Sequence, residues 1–322
     1  MKRLAAIALA TCVGSTAAHA LEGTWTATIE GNGPERIHLG LRYGRTSSMA
    51  TTYRMDALTG LAADQIHAAT STPVRFALER EAGRVDFDGS FREGKGAGHF
   101  TFLASAGYLE SVRELGVDVT RKDPSGTGDE RLIVLALLDV STDYIRSMIA
   151  EGYRVPLDDF QTMRIFDVTP TYVRAMRALG FEGISADELV STRVHGITPE
   201  FIREVRESGW DLSLDELLQA RIHGVTPQFR AEMEKLGYRL SFDDLTSFRI
   251  HGVTPEWIGE LRQLGYDDLD ADELVSTRIF QVTPEFIRSV EAAGYRDLPM
   301  RELISMRVQG LDADDLARER VF

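Results

Sequence analysis

Three histidines recur at one spacing: His195, His223 and His251, each inside an Arg-Val/Ile-His-Gly tetrad. Imidazole is a common metal ligand and the side chain that titrates nearest neutrality, so metal binding and pH sensing are the chemistries to weigh. Ligands of a single zinc lie about 2 Å from it, whereas packed helices stand about 8–10 Å apart. Histidines that return once per helical repeat therefore cannot converge on one ion. A position just before a helix-ending glycine faces free carbonyls and the negative end of the helix dipole, which suits a capping histidine; pH sensing is the remaining alternative. Two charged columns keep the same spacing. Arg164, Arg193, Arg221, Arg249, Arg278 and Arg307 form one, and Asp159, Glu188, Glu216, Asp244, Glu273 and Glu302 the other. Acid near a helix start and base near its end complement the dipole. The two columns also have the signs to pair between neighbouring repeats, and the arginines alone would make an anion-binding ladder. Arg193, Arg221, Arg249, His195, His223 and His251 are accordingly the candidate contacts on the repeat face.

Catalytic patterns do not accompany them. The chain has no His-Glu-x-x-His, no Gly-x-Ser-x-Gly, and a single cysteine, Cys12. Gly89-Ser-Phe-Arg-Glu-Gly-Lys-Gly96 approaches a phosphate-binding loop but lacks the Ser or Thr that would hold magnesium. The residues after it alternate as a strand, where the motif requires a helix. Its glycines read instead as a tight turn and a bulge. No cofactor or metal is expected, and a hydrolase ranks below the two non-enzymatic readings given below.

The elements that carry these columns form a repeat. Thr-Pro steps place prolines at 170, 199, 227, 255 and 284, so successive spacings are 29, 28, 28 and 29 residues. A fixed period of this size marks a solenoid of stacked units. Each unit reads as two short helices. Thr198 and Pro199 suit the N-cap and first position of one, with Gly209 as its left-handed end. Ser185-Ala-Asp-Glu188 and Ser213-Leu-Asp-Glu216 are capping boxes that open the other, which Gly196, Gly224 and Gly252 close. Apolar columns accompany the caps: Leu189, Leu217, Leu245, Leu274 and Leu303; Val194, Ile222, Ile250, Ile279 and Val308; Phe201, Phe229, Trp257 and Phe286, preceded by Tyr144 and Tyr172. All three are expected to pack between units. Tyr108–Gly116 is a degenerate first copy, Thr142 holds the proline position of the next, and the insertion 117–130 lies between them. A last unit is expected from Gly310.

Residues 21–103 alternate with period two, at Trp25, Ala27 and Ile29, at Ile37 to Tyr43, at Val74 to Leu78, at Val85 and Phe87, and at Phe100 and Phe102. That pattern predicts half-buried strands of an antiparallel sheet, curled into a sandwich or half-barrel, with a hairpin turn at Glu81–Arg84. The fold class is therefore α+β: a small N-terminal antiparallel β-domain (21–103) followed by an α-solenoid of 28–29-residue two-helix repeats (104–322).

Residues 1–20 read as a secretory signal. Lys2 and Arg3 precede an apolar run too short to span a bilayer, and Ala18-His-Ala20 fits a cleavage site. Leu9-Ala-Thr-Cys12 offers a lipoprotein-like alternative at Cys12. The expected location is periplasmic or secreted, with no integral membrane segment after cleavage. Residues 104–322 carry 25 Lys+Arg against 40 Asp+Glu, whereas residues 21–103 carry 9 against 10. An acidic body repels phosphate backbones and argues against nucleic acid.

The copies of Gly196-Ile-Thr-Pro-Glu-Phe-Ile202 resemble Gly-Val-Thr-Pro-Glu-Tyr/Phe-Ile helical arrays of uncharacterised exported bacterial proteins. They are also similar to arrays appended to some BlaR-type membrane metallopeptidases, whose membrane helices and zinc motif have no counterpart here. The resemblance covers about two-thirds of the chain and implies an envelope location. The reading is an exported, non-enzymatic module that binds a protein partner, with a sensory accessory of an envelope signalling system as the alternative.

Overall fold

The structure is a computed structural model that describes residues 20–30, 36–122 and 126–311. The expected signal sequence with Cys12, and all but the first two residues of the expected last unit, lie outside the described residues.

Six strands form one antiparallel sheet: β1 (Leu21–Glu30), β2 (Arg36–Tyr43), β3 (Ser47–Arg54), β4 (Thr72–Arg80), β5 (Gly83–Arg92) and β6 (Lys95–Ala104), in the order β3-β2-β1-β6-β5-β4. The alternation of the sequence puts Trp25, Leu39, Phe76, Phe87 and Phe100 on one buried face. A two-layer sandwich does not form, because helices cover that face instead. They are α1 (Ala63–His67), which lies on β4 and β5, and α3 (Gly128–Leu137), which lies on β4, β5 and β6. The strand that the sequence does not reveal is β3. It runs along the sheet edge with Ser, Ala and Thr at most positions, and Tyr53 is its one buried residue.

Trp25 shows why glycines fall in these strands. Gly98 pairs with Trp25 across β1–β6 and with Gly89 across β5–β6. A Cβ on Gly89 would stand 2.7 Å from the indole Cζ2 and one on Gly98 2.8 Å from Nε1, so bare backbone makes the slot for the ring. The indole N–H donates to the Asp88 carbonyl at 3.2 Å, and Phe76 meets the ring edge-on at 5.3 Å. The phosphate-loop lookalike is the hairpin between β5 and β6. Glu93 and Gly94 have φ of 50° and 77°, the left-handed pair of a two-residue turn. Their amides donate to the Ala68 and Ile66 carbonyls at 2.9 and 3.0 Å, so they are not offered to a phosphate. The register runs without interruption from Gly83↔Ala104 to Arg92↔Lys95, so the expected bulge is absent.

Helices α2 (Tyr108–Glu114) and α3 are followed by six regular pairs: α4 (Thr142–Ala150) and α5 (Leu157–Ile165); α6 (Pro170–Ala178) and α7 (Ala186–Val194); α8 (Pro199–Glu207) and α9 (Leu214–His223); α10 (Pro227–Lys235) and α11 (Phe242–His251); α12 (Pro255–Arg262) and α13 (Ala271–Ile279); α14 (Pro284–Ala292) and α15 (Met300–Val308). The caps act where the sequence places them. Thr198, Thr226, Thr254 and Thr283 each accept the amide two residues after the proline, at 3.1–3.2 Å. Ser185, Ser213, Ser241 and Asp270 complete capping boxes with Glu188, Glu216, Asp244 and Glu273.

The chain divides into two compact units, one of residues up to Arg174 with Ser185–Val190, the other of Ala175–Ile184 and residues from Ser191 onward. The first helical pairs thus share a compact unit with the sheet. In that unit the Tyr53 hydroxyl donates to the Leu137 carbonyl at 2.8 Å, and Glu81 accepts from the Thr142 amide and hydroxyl at 2.7 and 3.2 Å. Tyr108 donates to the Val140 carbonyl and Tyr144 to the Val168 carbonyl. Val140 and Val168 hold the same repeat position, so the degenerate first copy keeps the contact of the next one. In the second unit α9, α11, α13 and α15 lie against one another in succession, and Leu217, Leu245, Leu274 and Leu303 are fully buried along them.

Candidate docking face

One expected core column is not in the core. Val194, Ile222, Ile250, Ile279 and Val308 are 49–58% exposed. The helical wheel explains it. Each lies five residues after a buried leucine, and five steps of about 100° turn it about 140° away from the packed face. Ile165 holds the same position in the first unit and is 49% exposed. Phe166 and Phe280 stand in the histidine column and are exposed as well. Of the nine large apolar side chains exposed among the described residues, eight hold these two adjacent repeat positions; Leu103 is the ninth.

The candidate histidines lie beside this row. His195 is exposed, and His223 and His251 are half-buried at the last residues of α9 and α11. They do not cap carbonyls, and none of the three imidazoles hydrogen-bonds another described residue. Gly224 and Gly252 close their helices with φ of 70° and 73°, and arginines from the following repeat take the carbonyls. Arg221 donates to Gly196 at 3.0 Å, Arg278 to His251 at 3.2 Å and Arg307 to Phe280 at 3.2 Å; Arg164 does the same to Leu138 in the first unit at 3.0 Å. Among the described residues no group of three His, Cys, Asp or Glu has metal-binding geometry.

The same arginines stack on aromatic rings. Arg221 lies 3.7 Å from the Phe201 centroid, Arg249 4.7 Å from Phe229, Arg278 4.5 Å from Trp257 and Arg307 5.1 Å from Phe286. Arg221, Arg278 and Arg307 therefore each span the ring of one helix and the carbonyl end of the helix before it, a cation–π contact joined to a charged hydrogen bond. Among the described residues Arg221, Arg249, Arg278 and Arg307 do not make the expected pairs with the acidic column, because Glu188, Glu216, Asp244 and Glu273 turn back into their own capping boxes. Hydrogen bonds from Ser185 and Ser213 hold the Glu188 and Glu216 carboxyls below the usual range. Arg193 is half-buried in the last turn of α7, and Arg221 and Arg249 are exposed.

Carboxylates border the apolar row. Asp215, Asp243 and Asp272 are exposed seven residues before Ile222, Ile250 and Ile279. Seven residues is about two turns, so each aspartate shares its isoleucine's face about 10 Å away. Glu200, Glu256 and Glu285 are exposed at the second position of the helices that follow the row. Bonds to their own amides and to Thr198, Thr254 and Thr283 lower their pKa values, so they are charged at neutral pH.

A cleft of about 770 Å³ lies in the first unit and is lined in part by Tyr43, Arg45, Lys122, Glu130, Arg131 and Asp158. Its acids already have structural duties. Asp158 accepts from Arg131 at 2.6 Å and from the Lys122 amide at 2.8 Å, and Glu130 closes the capping box of α3 with Thr127. No family model matches the chain, and no curated protein matches it. Among the described residues no helix is long and apolar enough to cross a membrane.

Proposed function

We propose that the protein is an exported, non-enzymatic binding scaffold of the bacterial envelope, and that its partner is another protein held against the ends of the second helices. The observation that carries this reading is the exposed apolar row. Large apolar side chains scattered singly over a surface need no explanation, but a contiguous patch on a soluble protein marks a site of association. Here the exposure is repeated at one structural position, through five units of the second body, while the leucine five residues earlier is buried each time. The Lys2-Arg3 start, the apolar run and Ala18-His-Ala20 support export.

Photo-crosslinking in cells tests it. A benzophenone amino acid at Ile222 or Ile250 should give a discrete protein adduct, and the same group at exposed Glu207 or Glu260, on the first helices of the repeat, should give none. Equal labelling from all four positions overturns the docking reading. A protein that retains Met1 and fractionates with the cytoplasm overturns the export reading.

A further inference from the structure

The chemistry around the row restricts what it can receive. Ile222, Ile250, Ile279 and Val308 offer an apolar track along the stacked helices α9, α11, α13 and α15, and Val194 holds the same repeat position on α7. Asp215, Asp243 and Asp272 share the face of the row two turns away, and Glu200, Glu256 and Glu285 are exposed at the starts of the helices that follow it in the chain. The arginines next to the row do not neutralise it freely, since Arg221, Arg278 and Arg307 are committed to carbonyls of the preceding repeat. Residues 191–311 carry 14 Lys+Arg against 21 Asp+Glu. A second copy of the chain would bring the same carboxylates to the interface and meet like-charge repulsion. An anionic lipid surface or a phosphate backbone is disfavoured in the same way.

Resting on the reading of this row as a docking face, we infer that it receives a segment of another protein in which apolar side chains are interleaved with lysine or arginine. The apolar residues cover the isoleucines, and the cations meet the exposed aspartates and glutamates next in the repeat. Carboxylates that pair at the rim of an interface set partner choice and encounter rate, while the desolvated apolar centre supplies most of the affinity.

The test uses the full chain and two fluorescein-labelled peptides of about 20 residues with one leucine pattern, one carrying lysine and the other glutamate at every polar position. By fluorescence anisotropy the lysine peptide should bind at least about tenfold tighter than the glutamate peptide, a difference of about 1.4 kcal/mol. Its affinity should fall with added salt. The variant Ile222→Ser/Ile250→Ser/Ile279→Ser should weaken the lysine peptide about tenfold or more. Asp215→Asn/Asp243→Asn/Asp272→Asn should remove much of the preference for lysine over glutamate. All six positions are exposed, so circular dichroism of both variants should match the parent. Equal affinity for the two peptides, or unchanged binding by the serine variant, overturns the inference. So does self-association on sedimentation that the serine variant abolishes. Site-specific crosslinks with equal peptide affinities leave the docking face standing and remove its cationic partner. Crosslinks that do not distinguish the row from Glu207 and Glu260 remove the docking face itself.

Discussion

Thr142 stands where later repeats place Pro170, Pro199, Pro227, Pro255 and Pro284. Proline suits that first helical position because its missing N–H has no intrahelical partner to lose. At Thr142 the N–H has a partner: Glu81, from the turn between β4 and β5, accepts both the amide and the hydroxyl. The exception to the repeat is thus the place where the sheet is tied to a helix start, and a carboxylate at a helix N-terminus is also favoured by the dipole. Thr142→Pro would make the repeat more regular and remove both donors. Urea unfolding should show a loss of about 1.5–3 kcal/mol, the range for a hydrogen bond to a charged group. Pro199→Thr, with no such acceptor, should change stability by less than about 1 kcal/mol. A Thr142→Pro protein as stable as the parent would mean that the Glu81 contact carries no weight. Gly252 is the second residue whose identity the structure dictates. Its φ is 73°, and a Cβ there would meet the Arg278 Nη2 at 2.9 Å. Gly252→Ala should cost about 1–2 kcal/mol from the left-handed backbone alone, measured by the same unfolding, whereas Gly107→Ala, with open space around it and an ordinary φ, should not.

At the scale of the helices, the caps were legible and the facing was not. Threonine-proline starts, capping boxes and terminal glycines identify themselves by local chemistry, because each satisfies backbone groups within four residues. A column of isoleucine is different. Its recurrence shows that the position is equivalent in every unit but says nothing of whether a neighbour covers it. The angle was available: Leu217 and Ile222 lie about 140° apart on one helix, so both cannot face the same packed seam. The partners of the arginine column are hidden for a related reason. Charge alone suggested the glutamates, while the ring and the carbonyl that bind the guanidinium lie about 20 and 25–27 residues earlier, where no sequence rule points. The cap chemistry predicts an acid dependence. Glu188 and Glu216 have lowered pKa values from bonds to Ser185 and Ser213. A depressed folded-state pKa adds stability that is fully present above the unfolded value, about 4.3, and is lost as pH falls through the folded value. The melting temperature should therefore drop on acidification below that point, and the drop should be smaller in Glu188→Gln/Glu216→Gln, whose side chains cannot titrate. Identical acid profiles for parent and variant would remove these two caps from the account.

For the molecule as a whole the period is the strongest constraint, and it can be tested without reference to any partner. Deleting residues 200–227 removes one full period and joins Pro199 to Gln228, which restores Thr-Pro-x-Phe. The arginine clamp is restored as well. Arg249 keeps Phe229 beneath it and meets Gly196 where it had met Gly224, the same glycine that Arg221 reaches in the parent. A stack of repeats has stability set by each unit and its neighbours, so this protein should fold cooperatively, with a modestly lower melting temperature and helical ellipticity reduced in proportion. Deleting only residues 200–213 removes half a period. Pro199 then runs into Leu214, so a threonine-proline cap opens a helix that ends at His223, and the glycine, ring and leucine positions fall out of step with the next unit. That protein should lose most of its protease resistance and its sharp thermal transition. Similar behaviour of the two deletions by circular dichroism and limited proteolysis would show that the 28-residue unit is not the unit of packing. The apolar row would then lose its basis as a continuous track, because its continuity depends on each second helix taking the same place against the one before it.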